Sequence, residues 1–332
     1  MEWTLGYARA RARRAHPTLV VALAGLTIVA MACSPGEAVV SKTIGSHRVD
    51  ASPGCGHRLS AGAVAPGREQ TRTLRTGVES GSYELSVPGT YRSLRPLPLI
   101  ALFNGFGSNP TQFSQLTGLP ARGSNAGFLV VVPHTQGDES EWQIDGHGTD
   151  AGFVEGLIKA VEHAYCVNQD AVFTAGFSAG AAFAIVYACA HQPQIAAIAT
   201  VAVEFQLGCT KPVSILAFHG TQDPLVPYEN GAVGLSLPGV KVRGTQLNMG
   251  DWARLDRCRT APRGERIGSQ VTRQQWTGCT RGTAVVLYTV LGGSHSWPGA
   301  DPTKAIGLTT QQINATQQIL SFFTRAQTAA TN

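Results

Sequence analysis

The chain has 332 residues, of which 43% are hydrophobic and 14% charged, a composition that supports a large buried core and excludes an intrinsically disordered protein. The formal net charge is +5, from 26 Lys and Arg against 21 Asp and Glu. Four arginines and one glutamate lie within residues 1–32, which leaves 22 basic and 20 acidic residues. Because phosphate binding needs clustered Lys and Arg that this balance does not provide, we expect no nucleic-acid partner.

The first 32 residues have the layout of an export signal. Arginines at positions 9, 11, 13 and 14 precede an uncharged apolar run from Leu19 to Ala32, and small residues at its end provide a cleavage site. The run is shorter than the roughly 18 to 20 residues of a membrane-spanning helix. We therefore expect a removable signal, with a permanent span as the weaker alternative.

Two interpretations of the cleavage site differ in the fate of Cys33. The residues Ala-Met-Ala at 30–32 satisfy the small-x-small rule of ordinary signal cleavage, and together with Cys33 they also resemble a bacterial lipobox. The usual lipobox has Leu where this chain has Ala30, yet the lipoprotein interpretation, with lipid on Cys33, is favoured. The protein is thus predicted to be exported, as a cell-envelope lipoprotein or a secreted protein. Residues 33–66, rich in Gly, Ser, Ala and Pro, are predicted to be a tether, and residues 67–328 a single domain.

The pattern of apolar residues after the tether predicts a sheet with interspersed helices. Alternation from Thr71 to Val87, broken at residues 79–82, predicts an antiparallel hairpin. Short apolar runs predict buried strands at Leu97–Phe103, Phe128–Val132, Ala171–Ala175, Ile195–Val203, Val213–Phe218 and Ala284–Leu291. Helices are predicted at Asp150–Tyr165, after Ser178, at about 245–257 and at about 309–325. This alternation predicts an α/β fold, with a mostly parallel twisted sheet and helices on both faces.

The sequence GFSAG at 176–180 is the main indication of chemistry. A G-x-S-x-G match is weak alone, but here a buried-type strand precedes it and an apolar helix follows, which is the context of a nucleophile elbow. Its glycines avoid collisions in a sharp turn, and the serine takes a strained, exposed position at a helix N-terminus. We predict that Ser178 is the nucleophile of an α/β-hydrolase.

A serine nucleophile needs a base and an orienting carboxylate, which follow it along this fold in the order Asp or Glu, then His. His295 is the one histidine after Asp223 and is the predicted base. Asp223 follows a predicted strand and is the predicted acid, while Asp251 and Asp256 fall in a predicted helix and are weaker candidates. Alternatively, Asp223 only caps a turn. We expect His219 to be a structural hydrogen-bonding residue.

Acyl transfer also needs donors for the oxyanion. The backbone N–H of Ala179, directly after the nucleophile, is one predicted donor. The second is the N–H of Phe106, in the loop NGFG at 104–107 that follows the first parallel strand. Its glycines allow close approach to a substrate, although a plain turn is the alternative.

Seven cysteines are present, and six remain if Cys33 is lipidated or lies at the cut. An oxidising compartment favours pairing among them, and without CxxC spacing we expect structural disulfides and no metal site. Cys258 and Cys279 would close a local loop and are the predicted pair. The pairing of the other four is left open by the sequence: Cys55, Cys166, Cys189 and Cys209.

Four segments resemble the polyhydroxybutyrate depolymerase and feruloyl esterase family of secreted esterases, which includes lipoprotein esterases of actinobacteria. They are SPGCG at 52–56, YCVNQDAVFTAGFSAGAAFA at 165–184, HGTQDPLVPY at 219–228 and GGSHSWPG at 292–299. The resemblance extends from Cys55 to about Phe323. It implies hydrolysis of carboxylic esters, in polyhydroxyalkanoates, short-chain acyl esters or feruloylated polysaccharides, with no metal or organic cofactor.

The same resemblance bears on substrate-binding residues. Trp297 should line the acyl pocket and Trp142 another wall, although either is alternatively a core residue. Family members usually carry His-Gly where this chain has Asn104 and Gly105. The Asn104 side chain can still hold the loop by hydrogen bonds, so the change bears on substrate preference more than on reaction class.

The residues alone leave two other functions open. One is a non-catalytic envelope protein that uses the hydrolase fold for binding, and the other is a peptidase or amidase with the same triad. The expected partner is an ester substrate, small or polymeric. We expect a monomer that contacts the membrane only through lipid on Cys33.

Overall fold

The structure is a computed structural model that describes residues 49–77, 79–135, 141–206, 208–232, 241–305 and 307–330. The predicted signal, its cleavage site and Cys33 lie outside these ranges. Within them, no helix combines the length and the apolar character needed to cross a bilayer. All the described residues fall in one compact unit, Ser46–Asn332.

A ten-stranded sheet forms the centre of the domain. The strands in chain order are β1 Glu69–Thr76, β2 Glu79–Ser86, β3 Leu97–Phe103, β4 Leu129–Pro133, β5 Val167–Phe177, β6 Ile195–Val201, β7 Ser214–Gly220, β8 Gly231–Ala232, β9 Lys241–Val242, β10 Arg263–Ile267, β11 Val271–Trp276 and β12 Val285–Val290. The sheet order is β1-β2-β4-β3-β5-β6-β7-β12-β11-β10, and β8 and β9 form a separate antiparallel pair. The six strands from β4 to β12 in that order run parallel, and antiparallel hairpins extend both edges.

Helices cover both faces of the sheet, as predicted. They are α1 Pro110–Thr117, α2 Leu119–Asn125, α3 Thr149–Ala164, α4 Ala179–Ala190, α5 Thr245–Leu255 and α6 Ala315–Ala330. The inner strand β3 shows how the two layers arise, because all seven of its residues are buried and successive side chains point to opposite faces. Leu99 and Phe103 pack with residues of α3, α4 and α5, whereas Ile100 and Leu102 pack with residues of α1, α2 and α6. The predicted mostly parallel α/β fold is confirmed.

Several elements differ from the prediction. The strand β1 ends at Thr76 and β2 begins at Glu79, so residues 79–82 belong to β2, and α6 begins at Ala315 rather than near residue 309. The strands β10 and β11 and the helices α1 and α2 were not predicted. In β10, which lies at the edge of the sheet, four of five residues are exposed. The strand therefore has no apolar pattern from which it could be predicted.

Residues 49–66, which composition assigns to the tether, lie against the domain. Cys55 is disulfide-bonded to Cys166, and the backbone N–H of Ser52 donates to the carbonyl of Val167 at 2.9 Å. Val64 is 1% exposed and belongs to the core. The folded unit therefore begins before residue 67, because a covalent bond fixes a segment whose composition resembles a linker.

Three disulfides connect the six cysteines of the described region. Cys258 pairs with Cys279, which confirms the predicted pair. The pairs that the sequence left open are Cys55–Cys166 and Cys189–Cys209. The first spans 111 residues and the other two span 20 and 21, so only the first ties distant parts of the chain together.

Candidate active site

Ser178 lies alone between the end of β5 and the start of α4. Its backbone has φ 55° and ψ −122°, a combination outside the regions that a residue with a Cβ atom ordinarily adopts. Such strain persists only where the surrounding structure enforces it, and it is concentrated at functional sites. The sharp strand-to-helix turn expected from GFSAG is therefore present at this serine.

The two glycines of the motif are sterically required. A Cβ atom on Gly176 would lie 2.2 Å from the carbonyl oxygen of Gly180. A Cβ atom on Gly180 would lie 2.3 Å from the carbonyl oxygens of Phe103 and Asn104, at the end of β3. Real Cβ atoms do not approach so closely, so the contact between β3, β5 and α4 depends on glycine at both positions.

The predicted acid and base are joined directly. His295 Nδ1 lies 2.7 Å from Asp223 Oδ2, and both residues are buried. The other oxygen, Asp223 Oδ1, accepts hydrogen bonds from the N–H groups of Leu225 and Val226, each at 2.9 Å. Burial alone would raise the pKa of Asp223, but hydrogen bonds from His219 and His295 outweigh it and hold that pKa well below its usual value. The carboxyl group is therefore ionised at neutral pH.

The loops that carry these two residues are tied to each other. The N–H of Gln222 donates to the carbonyl of Gly293 at 2.9 Å, and the N–H of Gly292 donates to Thr221 Oγ1 at 2.8 Å. Each loop follows one of two parallel neighbours, β7 and β12. Because parallel strands end at the same edge, residues 72 positions apart in the chain meet there.

His295 also lies beside the serine turn. The imidazole ring packs against the ring of Phe177, with centroids 4.8 Å apart, and Phe177 directly precedes Ser178. The structure thus brings the base, the acid and the serine turn to one edge of the sheet.

The loop after β3 lies next to the serine. A Cβ atom on Gly105 would lie 3.4 Å from the Cβ atom of Ser178, and the Phe106 side chain beyond it is 57% exposed. The buried Asn104 side chain holds this loop, because its Nδ2 donates to the carbonyls of Gly105 at 3.0 Å and Ser108 at 2.9 Å. On the other side of the serine, Ala179 is the first residue of α4, where N–H groups have no acceptor within the helix. The loop that carries Phe106 and the start of α4 at Ala179 therefore both adjoin Ser178.

Both tryptophans are core residues in the structure, each 2% exposed. Trp142 Nε1 donates to the carbonyl of Asn104 at 2.8 Å, so this side chain stabilises the loop after β3. Trp297 Nε1 donates to Thr316 Oγ1 at 3.1 Å, and its ring packs edge-on against Phe113. Both rings therefore lie in the core, which was the alternative interpretation of the sequence. The sequence around a tryptophan in a loop does not distinguish a core residue from one that lines a pocket.

One residue of this region was not singled out from the sequence. Glu204 follows β6, is buried, and lies 2.6 Å from the Nδ1 of His219. The signal that could have drawn attention to it is a charged residue directly after the mostly apolar run Ile195–Val203. In the described ranges, no group of three or more His, Cys, Asp or Glu side chains is placed to hold a metal ion.

The fold and this edge of the sheet define the class of protein. A mostly parallel sheet, a strained serine after its central strand and a buried Asp–His pair at the same edge are the features of the α/β hydrolases. Acetyl xylan esterase from Aspergillus awamori shares the fold, with a TM-score of 0.56 at 12% identity over 77% of this chain and 99% of that one. The protein is therefore a member of the α/β-hydrolase fold class.

Sequence comparisons show which proteins of this class the chain resembles. The family profile described as "Esterase PHB depolymerase" matches residues 81–216. Feruloyl esterase D of Neurospora crassa is 28% identical over 249 residues, which cover 70% of this chain and 80% of that protein. A protein of Nocardia uniformis named as an esterase, NocK, is 25% identical over 290 residues, 77% of this chain and 84% of its own. The protein is therefore a carboxylic ester hydrolase whose sequence is similar to the polyhydroxybutyrate depolymerase esterases over residues 81–216 and to feruloyl esterases.

Proposed function

We propose that the protein is an exported serine esterase in which Ser178, His295 and Asp223 form the catalytic triad. The observation that carries the proposal is the buried 2.7 Å hydrogen bond between Asp223 and His295, in a loop pair that lies beside the strained serine turn. Ionised Asp223 accepts the Nδ1 proton of His295. That tautomer leaves Nε2 with a lone pair that can take the proton of the serine hydroxyl.

The reaction proceeds in two halves. Ser178 Oγ bonds to the ester carbonyl carbon as its proton passes to His295, and the carbonyl electron pair moves to the oxygen. The N–H groups of Ala179 and Phe106 stabilise this oxyanion. Collapse of the intermediate breaks the bond to the alcohol, which leaves with the proton from His295. Water, deprotonated by His295, then attacks the acyl-enzyme, and the acid departs as the proton returns to Ser178.

Replacement of the nucleophile tests the proposed triad. Ser178→Ala is expected to lower kcat on p-nitrophenyl butyrate by about three or more powers of ten while substrate binding survives. Ser269→Ala is the matched control, because Ser269 lies in the turn between β10 and β11 and is exposed. A fluorophosphonate probe should label the wild type and Ser269→Ala but not Ser178→Ala. An unchanged rate or undiminished labelling of Ser178→Ala would refute the assignment of Ser178 as the nucleophile.

The substrate class that we propose first is the ester of a hydroxycinnamic acid, supported by the similarity to feruloyl esterase D. Esters of hydroxybutyrate are the second candidate, supported by the description of the family profile. Values of kcat/KM on methyl ferulate, acetylated xylan and hydroxybutyrate oligomers distinguish these two candidate substrate classes.

Matched ester and amide substrates test for an amidase, which would use the same first step. Equal rates on the two would exclude a dedicated esterase.

Export is supported by the signal-like residues 1–32 and by three disulfides, which persist in oxidising compartments. In the lipoprotein form, Cys33 carries the lipid that anchors the protein to the membrane. Mass measurement of the mature N-terminus tests this form. A chain that begins at Cys33 with an added diacylglyceryl mass is expected, and an unmodified residue 33 would indicate release as a secreted protein.

A further inference from the structure

A second buried histidine lies behind the Asp223 carboxylate. His219, near the end of β7, is 2% exposed. Its Nε2 lies 3.5 Å from Asp223 Oδ2, the same oxygen that binds His295. Its Nδ1 lies 2.6 Å from Glu204 Oε2. Two carboxylates and two imidazoles therefore alternate in one buried row: Glu204, His219, Asp223 and His295.

The hydrogen-bond partners determine the protonation of His219. Nε2 lies 2.9 Å from the carbonyl oxygen of Val226, which can only accept, so Nε2 carries a proton. On the other side, Glu204 Oε1 accepts a hydrogen bond from Asn248 Nδ2 at 3.0 Å, which favours an ionised Glu204. Nδ1 must then donate to Glu204. Both ring nitrogens are protonated, and His219 is an imidazolium.

The electrostatic environment supports the same state. Burial opposes the charged form of His219, but the Glu204 carboxylate and the bonds to Asp223 and Val226 outweigh it and raise the pKa of His219 to about 10. Burial would raise the pKa of Glu204, yet the charge of His219 lowers it below its usual value. Among the residues that the structure describes, Tyr228 is a further titratable neighbour; its ring meets His219 edge-on and its pKa is raised by burial, so it stays neutral. The described residues of α5 that hydrogen-bond to the side chains of the pair are the uncharged Thr245 and Asn248.

His219 also fixes the backbone that orients the acid. Its Nε2–H donates to the carbonyl of Val226, and the N–H of Val226 donates to Asp223 Oδ1 at 2.9 Å. A closed ring of contacts thus links the imidazolium, the loop and the carboxylate. Movement of His219 would shift the carboxylate that His295 depends on.

We propose that His219 is a positioning residue: as a permanent imidazolium held by Glu204, it fixes the loop and the charge of Asp223 and so sets the pH at which His295 works as a base. The inference rests on the proposed function, in which His295 is that base. A cation beside Asp223 weakens the attraction of that carboxylate for a proton on His295.

The pH profile of His219→Gln tests the proposal, because glutamine keeps an amide N–H donor and removes the charge. The acid limb of kcat/KM for p-nitrophenyl butyrate is expected to move upward by about 0.5 to 1 pH unit. At a pH on the acid limb, kcat/KM should fall by roughly three- to tenfold, with KM nearly unchanged. An acid limb that stays in place in a folded His219→Gln protein would overturn the proposal.

A double-mutant cycle separates the charge from general damage. In Glu204→Gln, His219 loses the carboxylate that keeps it charged, so this variant should show the same upward shift as His219→Gln. The double variant should show no further shift, since each single change already removes the imidazolium. Additive shifts would contradict a shared cause. Asp256→Asn is the matched control, because Asp256 is also buried and adjoins α5, and it should alter the melting temperature but leave the acid limb in place.

The wild-type protein provides a test that does not depend on whether a variant folds. Nitrogen NMR of the histidine side chains should show one imidazolium, adjacent to the Tyr228 ring, that does not titrate from pH 5.5 to 8.5. A neutral or titrating His219 would refute the inference. The two proposals fail separately: an active Ser178→Ala overturns the proposed function, whereas an inactive Ser178→Ala with an unmoved acid limb in His219→Gln overturns only the role of His219.

Discussion

Asp223 Oδ2 and His295 Nδ1 are 2.7 Å apart, although 72 positions separate the two residues in the chain. The second oxygen of the carboxylate is held by two backbone N–H groups of its own loop. Because one oxygen is fixed by the loop, the direction of the other toward the imidazole is fixed as well. The loop itself therefore orients the Asp223 carboxylate toward His295.

Asp223→Asn tests this orientation. An asparagine can turn its amide N–H₂ toward Nδ1, which stabilises the tautomer with its proton on Nε2, and that tautomer cannot accept the serine proton. We expect kcat on p-nitrophenyl butyrate to fall by about 10³- to 10⁴-fold with little change in KM. Asp251→Asn is the matched control, because Asp251 pairs with Arg243 and Arg254 on the exposed side of α5. A loss of less than tenfold in Asp223→Asn would show that the carboxylate does not act as assigned.

Gly180→Ala probes the contact between α4 and the end of β3. The new methyl group would lie 2.3 Å from two carbonyl oxygens, so α4 and the loop of Asn104 must separate. Because this movement displaces both oxyanion donors, we expect kcat to fall by about 10²-fold or more, together with a lower melting temperature.

Gly152→Ala is the control for that substitution. Gly152 lies in α3, and a Cβ atom there would meet nothing within 4 Å. Alanine should stabilise this helix by roughly 0.5–1 kcal/mol and leave activity unchanged. The same behaviour in both variants, measured by kcat and thermal melting, would argue against the steric explanation.

The parts of the site that could be predicted from sequence are those encoded locally or by chain order. The apolar run Leu97–Phe103 is a strand with the predicted bounds, since a strand buried on both faces must be apolar throughout. GFSAG marked the serine turn because Gly176 is required by a contact within the motif itself, although the contacts that require Gly180 are with the distant residues Phe103 and Asn104. The order of residues along an α/β-hydrolase predicted that Asp223 and His295 act together, and the structure places these two side chains 2.7 Å apart.

The parts that could not be predicted depend on contacts between distant segments. Glu204 meets His219 only because β6 and β7 are neighbours in the sheet. The orientations of Trp142 and Trp297 are set by hydrogen bonds to Asn104 and Thr316, to which no local pattern points. Likewise, a disulfide over 111 residues places Cys55 in the domain, although the surrounding composition is that of a linker.

The disulfides are expected to differ in their contribution to stability. In the chain-entropy description, a crosslink stabilises by about 3 kcal/mol for a loop near 15 residues and about 4.7 kcal/mol for one near 100. Cys55–Cys166 spans 111 residues and Cys258–Cys279 spans 21. Replacing the first pair by serine should therefore lower the free energy of unfolding in urea by roughly 1 to 2 kcal/mol more than replacing the second. Equal losses would show that loop length does not determine the difference.

The protonation of Asp256 makes the free energy of unfolding of the domain depend on pH. It is fully buried at the end of α5, and its Oδ1 accepts a hydrogen bond from the N–H of Val213 at 3.0 Å. Burial raises the pKa of Asp256 to about 6, compared with about 3.9 in an unfolded chain. The native state therefore binds the proton more tightly than the unfolded state does. The stabilisation is complete below about pH 4 and is lost as the pH rises from about 4 to about 6.

Asp256→Asn removes this dependence, because an amide of similar shape can accept the same hydrogen bond and cannot ionise. The melting temperature of the variant, relative to that of the wild type, should rise between pH 4 and pH 6 and become constant above that range. Other buried acids, such as Glu162, titrate equally in both proteins and cancel in the difference. Thermal melts at unit pH intervals from 4 to 8 measure the effect. A difference that is the same at every pH would show that Asp256 is not protonated in the native protein.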